Sequence, residues 1–512
     1  MRILLTTLNS KYVHSNLALK YLYSVVEDSG LDVSLTEYTI NNDKSYVYTE
    51  ILRGGYDIVC FSCYIWNIEQ IKELGANLKK ACPKLKIVLG GPEVSYETTA
   101  LMEENPWIDF VLRGEGELPF FQFCKELVLE RFDFSKVRGM SWRHGNLLLE
   151  NKDAPLLEMD QIPFPYEKLP MEKDKVIYYE SSRGCPYRCS YCLSSLEKTI
   201  RPLSLERTRR ELGYFLRQNV KQVKFIDRTF NYDKDRAYEI WKYLMDNDNG
   251  VTNFHFEICG EILDDRLFAL LEQARDGLFQ FEIGIQSANG QALEAVDRRD
   301  NVEAIFANVK RLIAMGNIHI HVDLIAGLPF EDYRSFAASF DQVYALGADN
   351  LQLGFLKLLK GTKVRSQLEE HGFVFREKAP YEVISTKYLS AIDFIKLKMI
   401  EHVLDLFSNK GGFRHTMTYL ESVMASSAFH YYEQLADFFY SKGFQHKSYK
   451  KEDLYRILLN FAESRNYDHP EVAERAKVLL CQDLEETMNA DTVKRFYKKG
   501  WDIYYGNESH SG

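Results

Sequence analysis

Three cysteines in the stretch "SSRGCPYRCSYC" carry the most specific chemistry in this sequence of 512 residues. Cys185, Cys189 and Cys192 have the spacing C-x3-C-x2-C and follow the apolar run "KVIYY", which places them on a loop directly after a predicted strand. A thioredoxin-like redox pair would use only Cys189 and Cys192 and would leave Cys185 without a role. A structural zinc site needs a fourth ligand, which Cys259 or His255 would have to supply through folding.

An iron–sulfur cluster is the third interpretation of the same cysteines. Clustered thiolates favour soft metals and iron–sulfur centres. Three thiolate ligands on a four-iron cluster would leave one iron open to a substrate or cofactor. That arrangement serves catalysis rather than electron relay alone.

Composition and charge indicate the class of protein and the cellular compartment in which these cysteines would act. Apolar residues make up 46% of the chain and charged residues 27%, as in a globular protein with a large core. The net charge is −10 and no long Lys/Arg run occurs, so we do not expect a nucleic-acid partner. No run of about eighteen apolar residues occurs, and "MRILLTTLNS" becomes polar too early for a signal peptide. We therefore expect a cytoplasmic protein outside the membrane, where clustered cysteines favour metal binding or catalysis over disulfides.

Residues 1–132 alternate short apolar runs with amphipathic stretches, which predicts an α/β, Rossmann-like, doubly wound parallel sheet. Ligands of such sheets bind beyond the carboxyl ends of the strands. Small residues there would let a large ligand approach the backbone. The candidate binding residues are Ser62, Cys63, Gly90, Gly91, Pro92, Gly114, Glu115 and Gly116.

The rest of the chain divides into three parts. Residues 133–175 contain a predicted hairpin, "GMSWRHGNLLLE", and a proline-punctuated linker. Strand–helix alternation resumes over 176–384 with six units, which suit an open, partial (β/α)6 barrel rather than a closed barrel of eight. Residues 385–512 predict an all-α C-terminal domain with a polar tail, "YGNESHSG", and we expect this domain to pack over the barrel mouth.

The cysteine motif, with Tyr191 before its last cysteine, resembles that of the radical S-adenosylmethionine (SAM) superfamily. The resemblance implies that the three thiolates hold a [4Fe-4S] cluster whose open iron chelates the amino and carboxylate groups of SAM, with Tyr191 close to the cofactors. Electron transfer would then cleave the sulfonium to a 5′-deoxyadenosyl radical. The electron implies an external one-electron reductant of the flavodoxin or ferredoxin type.

Four downstream segments are similar to later barrel strands of that superfamily: "KFIDRTFNYD", "FEICGE", "FEIGIQSANGQAL" and "HVDLIAGLPFED". Their polar strand ends are not explained by a buried core. The last segment departs from the G-x-I-x-G-x-x-E pattern, because Asp323 replaces its first glycine while Gly327 is kept. The resemblance assigns SAM contacts to Asp227, Glu257, Gln286, Ser287, Asp323 and Gly327.

Three segments of the first domain, "FSCYIWNIEQIKEL", "IVLGGPEVSY" and "FVLRGEGELPFFQF", resemble in order the cobalamin-binding domain of cobalamin-dependent radical SAM enzymes. The resemblance implies a corrin over the strand ends and a nucleotide tail beside the "GGP" loop. Many such domains ligate cobalt through the histidine of a D-x-H-x-x-G loop. His14 has that place here, but Tyr12 replaces the aspartate and Leu17 the glycine, so we expect cobalamin to bind without His14 as an obligatory ligand.

The combined resemblance implies a cobalamin-dependent radical SAM methyltransferase that acts on an unactivated carbon, or phosphorus, of a small molecule or peptide. A radical rearrangement or cyclisation with the same cofactors is the alternative. A cobalamin- or SAM-responsive binding protein is a hypothesis from a different class. A tRNA methylthiolating enzyme is disfavoured, because the sequence has neither an extra N-terminal cysteine triad nor a basic C-terminal β-barrel pattern.

Overall fold

A computed structural model describes residues 1–465 and 470–501 and shows three parts in the predicted order. The tail "YGNESHSG" lies outside the described residues. Within them, no helix combines the length and the apolar character needed to span a membrane.

The first part is a sheet with helices on both faces. Its strands are Arg2–Asn9 (β1), Asp32–Thr39 (β2), Ile58–Ser62 (β3), Lys86–Gly90 (β4), Phe110–Leu112 (β5), Met140–His144 (β6) and Leu147–Glu150 (β7). Its helices are Leu17–Val26 (α1), Lys44–Gly54 (α2), Ile68–Ala81 (α3), Thr98–Glu104 (α4) and Glu117–Val128 (α5). The strand order is β2-β1-β3-β4-β5-β6-β7, with β1 to β5 parallel and β6 and β7 antiparallel. The predicted hairpin therefore extends this sheet, and the linker begins only after it.

Alternate residues of each central strand pack against opposite helical layers. Along β1, Leu4 and Leu8 join the core formed with α2, α3 and α4, whereas Ile3 and Leu5 join the core formed with α1 and α5. A parallel strand that is buried on both faces reads as a nearly continuous apolar run, which is why "RILLTT" and its neighbours predicted this sheet. The doubly wound prediction is confirmed.

The second part is an open barrel. Its strands are Ile177–Tyr179 (β8), Gln222–Phe225 (β11), Asn253–Ile258 (β12), Phe279–Gln286 (β13), His319–Ala326 (β14) and Asn350–Phe355 (β15), and Ser182–Arg183 (β9) and Arg201–Pro202 (β10) form a short separate ribbon. Its helices are Leu205–Gln218 (α6), Lys234–Asp246 (α7), Asp265–Leu271 (α8), Gly290–Ala295 (α9), Val302–Met315 (α10), Tyr333–Tyr344 (α11) and Leu368–His371 (α12). The six parallel strands run in the order β8-β11-β12-β13-β14-β15. This confirms the partial (β/α)6 barrel.

The two faces of the barrel sheet differ in polarity. Along β13, Phe279, Phe281 and Ile283 are fully buried in the core shared with the surrounding helices. Gln280 and Glu282, which alternate with them, are only partly buried and point to the barrel interior. The interior is therefore a polar space rather than a packed apolar core.

Each edge of the open barrel is covered by a flanking part of the chain. Next to β8, the N–H of Val176 donates to the Val13 carbonyl at 2.9 Å, and the Ser15 hydroxyl donates to the Val176 carbonyl at 3.3 Å. On β15, the N–H of Leu351 donates to Asn409 Oδ1 at 3.0 Å, and Asn409 Nδ2 donates to the Leu351 carbonyl at 2.9 Å. Both contacts satisfy backbone groups that an edge strand otherwise leaves open.

The third part is helical, as predicted. Two short strands, Val374–Phe375 (β16) and Val383–Ser385 (β17), precede the helices Ala391–Leu404 (α13), Arg414–Met424 (α14), Ala428–Ser441 (α15), Lys451–Arg465 (α16), Pro470–Thr487 (α17) and Ala490–Lys499 (α18). Helix α15 packs against α11, where the Tyr333 hydroxyl donates to Glu433 at 2.6 Å. These contacts, together with Asn409 on β15, place helices of this domain against α11 and β15, and its position over the barrel mouth stays a prediction.

Candidate functional site

The cysteine loop leaves β8 at the carboxyl end of the barrel, as predicted. It begins at Gly184, which has φ +95° and lies so close to the Thr199 carbonyl that a side chain would collide with it. In the following turn the N–H of Cys192 donates to the Cys189 carbonyl at 3.0 Å. Cys185 and Cys189 are buried and Cys192 is partly exposed, and all three thiols are free. The loop thus carries three free thiols on one short folded segment.

Asp227 anchors the base of this loop. Its carboxylate accepts hydrogen bonds from the N–H of Ser181 at 2.7 Å, from the Ser181 hydroxyl at 2.7 Å and from the Ser182 hydroxyl at 2.6 Å. Asp227 is 1% exposed, and this burial raises its pKa against the opposing effect of the three hydrogen bonds. These contacts make Asp227 a positioning residue for the loop, while the SAM contact predicted for it stays a prediction.

Arg298 lies next to one thiol of the loop. Its guanidinium donates to Cys189 Sγ at 3.8 Å and to the Gly284 carbonyl at 2.6 Å. Burial raises the pKa of Cys189, and the charge of Arg298 acts to lower it. Tyr191 hydrogen-bonds to both Cys189 and Arg298, and burial raises its pKa. Arg298 therefore favours the thiolate form of Cys189.

Arg228 lies near the other two thiols. Burial lowers the pKa of Arg228, but the charges of Glu257, Cys192 and Cys185 outweigh that effect and raise it. Three free thiols flanked by two guanidinium groups fit an iron–sulfur cluster held by negatively charged thiolates. Among the described residues, no group of three or more His, Cys, Asp or Glu side chains has the geometry to hold a single metal ion.

Cys259 reaches the cysteine loop through a hydroxyl group. The Tyr187 hydroxyl, from within the loop, donates to Cys259 Sγ at 2.9 Å. The backbone of Cys259 is held on its other side, because its N–H donates to Asn231 Oδ1 at 2.8 Å and its carbonyl accepts from Asn231 Nδ2 at 2.9 Å. That Cys259 is not a cluster ligand stays a prediction.

Charged side chains line the barrel interior below the loop. Glu282 accepts from Lys224 at 3.0 Å and lies 3.1 Å from His255 Nε2. Burial alone would raise the pKa of Glu282, but the hydrogen bond to His255 and the charge of Lys224 outweigh it and lower the pKa to about 2. Glu257 lies 3.8 Å from the Arg228 guanidinium. His255 is thus a partner of Glu282 in the barrel interior.

Asp323 is a carboxyl group of this interior that forms no ion pair with any described residue, although the charges of Lys224 and Arg298 act on it. Its Oδ1 is buried and has no hydrogen-bond partner among the described residues. Burial, and then the charges of Glu282 and Glu257, raise the pKa of Asp323 to about 8. Asp323 is therefore largely protonated near pH 7 and points a hydrogen-bonding group into the interior.

The predicted fourth-strand residues have different environments. Gln286 has φ +72° at a register shift between β13 and β14, and its amide folds back over Gly284. Ser287 is fully buried, and its hydroxyl donates to Glu331 at 2.5 Å. Ser287 therefore positions the loop after β14 through Glu331, and the SAM contacts of Gln286 and Ser287 stay predictions. A side chain at Gly327 would lie 2.8 Å from the ring of Phe394 in α13.

The loops after β3 and β4 pack tightly on each other. Gly91 has φ +103°, and a Cβ atom there would lie 2.6 Å from the Cys63 carbonyl oxygen. The N–H of Cys63 donates to the Gly90 carbonyl at 2.7 Å. Close packing of protein on protein thus requires the glycine at 91, and the predicted approach of a large ligand stays a prediction. The other candidate binding residues at this edge are Ser62, which is buried, and Pro92, Gly114 and Gly116.

Asn67 ties two strand ends of the first domain together. Its Nδ2 donates to Thr7 Oγ1, the Leu8 carbonyl and the Ser62 carbonyl, each at 3.1 Å, and its Oδ1 accepts from the N–H of Tyr64 at 2.8 Å. Asn67 is completely buried. It fixes the loop after β3 relative to the end of β1.

An ion-pair network joins the carboxyl edge of the first sheet to the cysteine loop. Arg183 pairs with Glu117 at 2.6 Å, with Glu180 at 2.9 Å and with Glu115 at 3.1 Å, and Arg201 also pairs with Glu115. The side chain of Arg183 is 11% exposed and that of Glu117 is 5% exposed. Burial raises the pKa of Glu180 to about 7, with Arg183 acting to lower it. We call Arg183 with Glu115, Glu117 and Glu180 the interdomain clasp.

Lys360 and the segment "GTKVRSQLEEHGFVFREKAPYEV" that follows it make a second link between the two domains. Lys360 lies 3.3 Å from Glu93 in the loop after β4, and the Tyr381 hydroxyl donates to the same carboxylate. Arg365 lies 3.5 Å from Glu97. The stretch that follows β15 thus contacts the "GGPEVSY" loop directly.

His14 faces the barrel. Its Nδ1 forms a hydrogen bond with the Tyr178 hydroxyl at 2.7 Å, and Tyr12 is exposed beside it. Burial, followed by the charges of Lys11 and Lys224, lowers the pKa of His14. The interdomain position of the ring is clear, and its role toward cobalt stays a prediction.

Four residues of this arrangement were not predicted, and each acts across a long sequence separation. In the sequence, the run "DRRD" shows the charge of Arg298 and the end of "GLPFED" shows that of Glu331, but neither segment indicates which residue the charge contacts. The four are Asn67, Arg183, Arg298 and Glu331.

Family models match three consecutive parts of the chain. The B12 binding domain model matches residues 3–123, the Radical SAM superfamily model matches residues 179–343, and the model described as "Protein of unknown function (DUF4080)" matches residues 369–508. The chain therefore contains a B12-binding domain, a radical SAM domain and a C-terminal DUF4080 region, in that order. Its cofactors are those of its two matched cofactor domains: SAM and a [4Fe-4S] cluster for the barrel, and cobalamin for the first domain.

Curated relatives align over part of their length. The 2-(S-pantetheinyl)-carbapenam-3-carboxylate methyltransferase of Streptantibioticus cattleyicolor is 28% identical over 297 residues, which cover 55% of this chain and 44% of that protein. The cobalamin-dependent radical SAM methyltransferase TokK of Streptomyces tokunonensis is 26% identical over 347 residues, which cover 62% and 49%. The chain thus spans about half the length of these relatives.

Solved structures share the fold over most of the chain. The cobalamin-dependent S-adenosylmethionine radical enzyme OxsB, with aqua-cobalamin and SAM bound, has a TM-score of 0.66 at 15% identity and covers 98% of this chain and 84% of its own. The radical SAM methyltransferase TsrM from Kitasatospora setae, with cobalamin and a [4Fe-4S] cluster bound, has a TM-score of 0.61 at 18% identity and covers 74% and 80%.

Proposed function

We propose that the protein is a cobalamin-dependent radical SAM methyltransferase that acts on an unactivated carbon, or phosphorus, of a small molecule or peptide in the cytoplasm. The interdomain clasp carries the proposal. Arg183, two residues before Cys185, holds Glu115 and Glu117 of the first domain at 3.1 and 2.6 Å. It joins the edge of the cobalamin-binding sheet to the cluster loop, as transfer between two cofactors requires. The methyltransferase names of two relatives support it.

The residues of the chain would prepare this chemistry in distinct ways. When bound, the cluster supplies one electron for SAM cleavage and cobalamin supplies the methyl group. The three loop cysteines would hold the cluster, and Asp227 keeps their loop in place through two serines. Asp323, with its pKa raised to about 8 by burial and by Glu282 and Glu257, would donate a hydrogen bond to a bound group.

The cluster assignment has a direct test on anaerobically reconstituted protein. The variant with Ala at Cys185, Cys189 and Cys192 should lose iron, the broad iron–sulfur absorbance and 5′-deoxyadenosine formation, and should still bind cobalamin. The matched control, Cys259→Ala, should keep its iron and absorbance, since its thiol contacts Tyr187 rather than serving as a ligand. Loss of the cluster in the control would mean that no iron is open, and SAM cleavage as proposed would then fail.

Methyl transfer has a separate test that needs no substrate. Protein loaded with chemically reduced cobalamin should convert SAM to S-adenosylhomocysteine and should form an equal amount of methylated cobalamin. Formation of 5′-deoxyadenosine without S-adenosylhomocysteine would contradict a methyltransferase. Absence of both with an intact cluster would favour a cobalamin- or SAM-responsive binding protein.

Radical cyclisation with the same cofactors is the second candidate. A relative named anaerobic magnesium-protoporphyrin IX monomethyl ester cyclase, from Rubrivivax gelatinosus, is 23% identical over 294 residues, which cover 53% of this chain and 50% of that protein. Cyclisation does not consume a methyl group. Product formation without an equal amount of S-adenosylhomocysteine would favour this candidate.

A further inference from the structure

Helix α9 ends in a turn that fixes Arg298 against the cysteine loop. Asp297 has φ +57°, and the N–H of Arg298 donates to the Leu293 carbonyl at 2.9 Å, as in the Schellman ending of a helix. The N–H of Ser190, which lies between two of the loop cysteines, donates to the Val296 carbonyl at 2.9 Å. The backbone of this turn is therefore hydrogen-bonded to the cysteine loop.

The guanidinium of Arg298 has three partners. It donates to Cys189 Sγ at 3.8 Å and to the carbonyl of Gly284 on β13 at 2.6 Å, and it forms an ion pair with Asp300 at 2.7 Å. The side chain of Arg298 is 13% exposed and that of Asp300 is 1% exposed. Contacts with three different groups thus fix the guanidinium beside the sulfur, and water screens its charge only weakly.

Cys189 therefore lies next to a pair of opposite charges. The charge of Arg298 acts to lower the pKa of Cys189, so it stabilises negative charge on the sulfur. The Asp300 carboxylate partly neutralises the same guanidinium. Removing Arg298 would make the surroundings of the sulfur more negative, whereas removing the charge of Asp300 would make them more positive.

We propose that Arg298 raises the reduction potential of the iron–sulfur cluster held by the cysteine loop, and that Asp300 limits this effect. The inference rests on the proposed function. Reduction adds one electron, which an external one-electron reductant supplies, and no bond is made or broken at Arg298. A hydrogen bond to a ligand sulfur and a nearby positive charge both stabilise the reduced state. Arg298 acts through Cys189 and is therefore a positioning residue rather than a catalytic one.

The potential is measured on anaerobically reconstituted protein without SAM, at pH 8. The protein is poised with titanium(III) citrate and redox mediators, and the reduced fraction of the cluster is read from its electron paramagnetic resonance signal. The variants are Arg298→Met, Arg298→Lys and Asp300→Asn. Arg131→Met, at an exposed arginine of the first domain, is the matched control. Iron content and absorbance are measured first, so that a changed potential is distinguished from loss of the cluster.

At a fixed applied potential, Arg298→Met should lower the ratio of reduced to oxidised cluster about tenfold, which is about 59 mV for a one-electron couple. Asp300→Asn should raise the ratio, and Arg298→Lys and the control should stay closer to the wild type than Arg298→Met does. Breaking the ion pair from either side would destabilise the loop in the same direction, so a merely structural role does not predict shifts of opposite sign.

Two results would overturn the inference: an unchanged potential in Arg298→Met, or shifts of the same sign in Arg298→Met and Asp300→Asn. If Arg298→Met holds no cluster, Asp300→Asn decides, because a raised ratio supports the inference and an unchanged or lowered ratio refutes it. If the wild type itself assembles no four-iron cluster, the proposed function fails instead.

Discussion

Replacing Arg183 with methionine tests the interdomain clasp most directly. Methionine keeps much of the apolar length of the side chain but removes the guanidinium that lies between Glu115, Glu117 and Glu180 at 2.6 to 3.1 Å. Glu117 and Glu180, both poorly exposed, would then lose this cation, and Glu115 would keep only Arg201. Removing one partner of a buried ion pair costs about 3–5 kcal/mol, and we expect a loss in that range at pH 8.

The pH dependence makes this prediction sharper. Burial raises the pKa of Glu180 to about 7 in the folded protein, so its protonated form stabilises the fold, and that stabilisation is lost as the pH rises through 7. Without Arg183 the pKa should rise further, because the charge that lowered it is gone. Arg183→Met should therefore be less destabilised at pH 6 than at pH 8, by about 1–2 kcal/mol.

Urea unfolding of the apoprotein, followed by tryptophan fluorescence at both pH values, measures the effect in the first unfolding transition, since a chain of three domains need not unfold in one step. Arg53→Met is the control: Arg53 pairs with Glu50 at 2.9 Å, but its side chain is 75% exposed. Such a pair contributes about 0–1 kcal/mol. If Arg183→Met behaves like this control, or is destabilised relative to the wild type as much or more at pH 6 than at pH 8, our account of the clasp is wrong.

Three further predictions concern other parts of the protein. Burial raises the pKa of Glu331 to about 7, so wild-type stability should fall as the pH rises through 7, and thermal melts from pH 5 to 8 should show a flatter profile for Glu331→Gln. Asn409→Leu should speed hydrogen exchange at the Leu351 amide and lower stability by about 1–3 kcal/mol, because two backbone groups lose their partner. His14→Ala should keep stoichiometric cobalamin through gel filtration, with an unchanged visible spectrum.

Each of these predictions has an outcome that contradicts it. An identical pH profile for Glu331→Gln would show that the buried carboxyl does not titrate in this range. Unchanged exchange at Leu351 would mean that the edge of β15 is protected by another group. Loss of cobalamin, or a spectral shift on removing His14, would identify the imidazole as a cobalt ligand.

Local patterns were sufficient to predict the parallel sheets and the cysteine loop. Apolar runs of strand length, each followed by residues with helical period, lead to βαβ units because both faces of the strand must be buried. The spacing of Cys185, Cys189 and Cys192 lies within one loop, so no knowledge of the rest of the fold is needed to bring these thiols together. Both features depend on neighbours in sequence.

Contacts between distant segments could not be predicted in the same way. Asp227 and Ser287 were singled out by their positions at strand ends, but the sequence did not indicate that they hydrogen-bond to Ser181 and Glu331. Gly91 was expected to admit a ligand, and the structure shows that the Cys63 carbonyl already requires it. The position of a strand end is encoded locally, whereas the partner of its side chain depends on how loops from other segments pack there.

The two edges of the barrel sheet have a consequence for how the whole polypeptide is laid out. The segment that shields β8 comes from before the barrel in the chain, and the residue that shields β15 comes from after it. The order of the domains along the polypeptide is therefore the same as the order of the structural units across the sheet: the first domain, the strands β8 to β15 and the third domain. Each outer domain shields one edge strand of the barrel sheet. Removing either domain would expose the backbone groups of that strand, which could then pair with a second molecule. The radical SAM portion of this protein is thus a middle section, complete only between its neighbours.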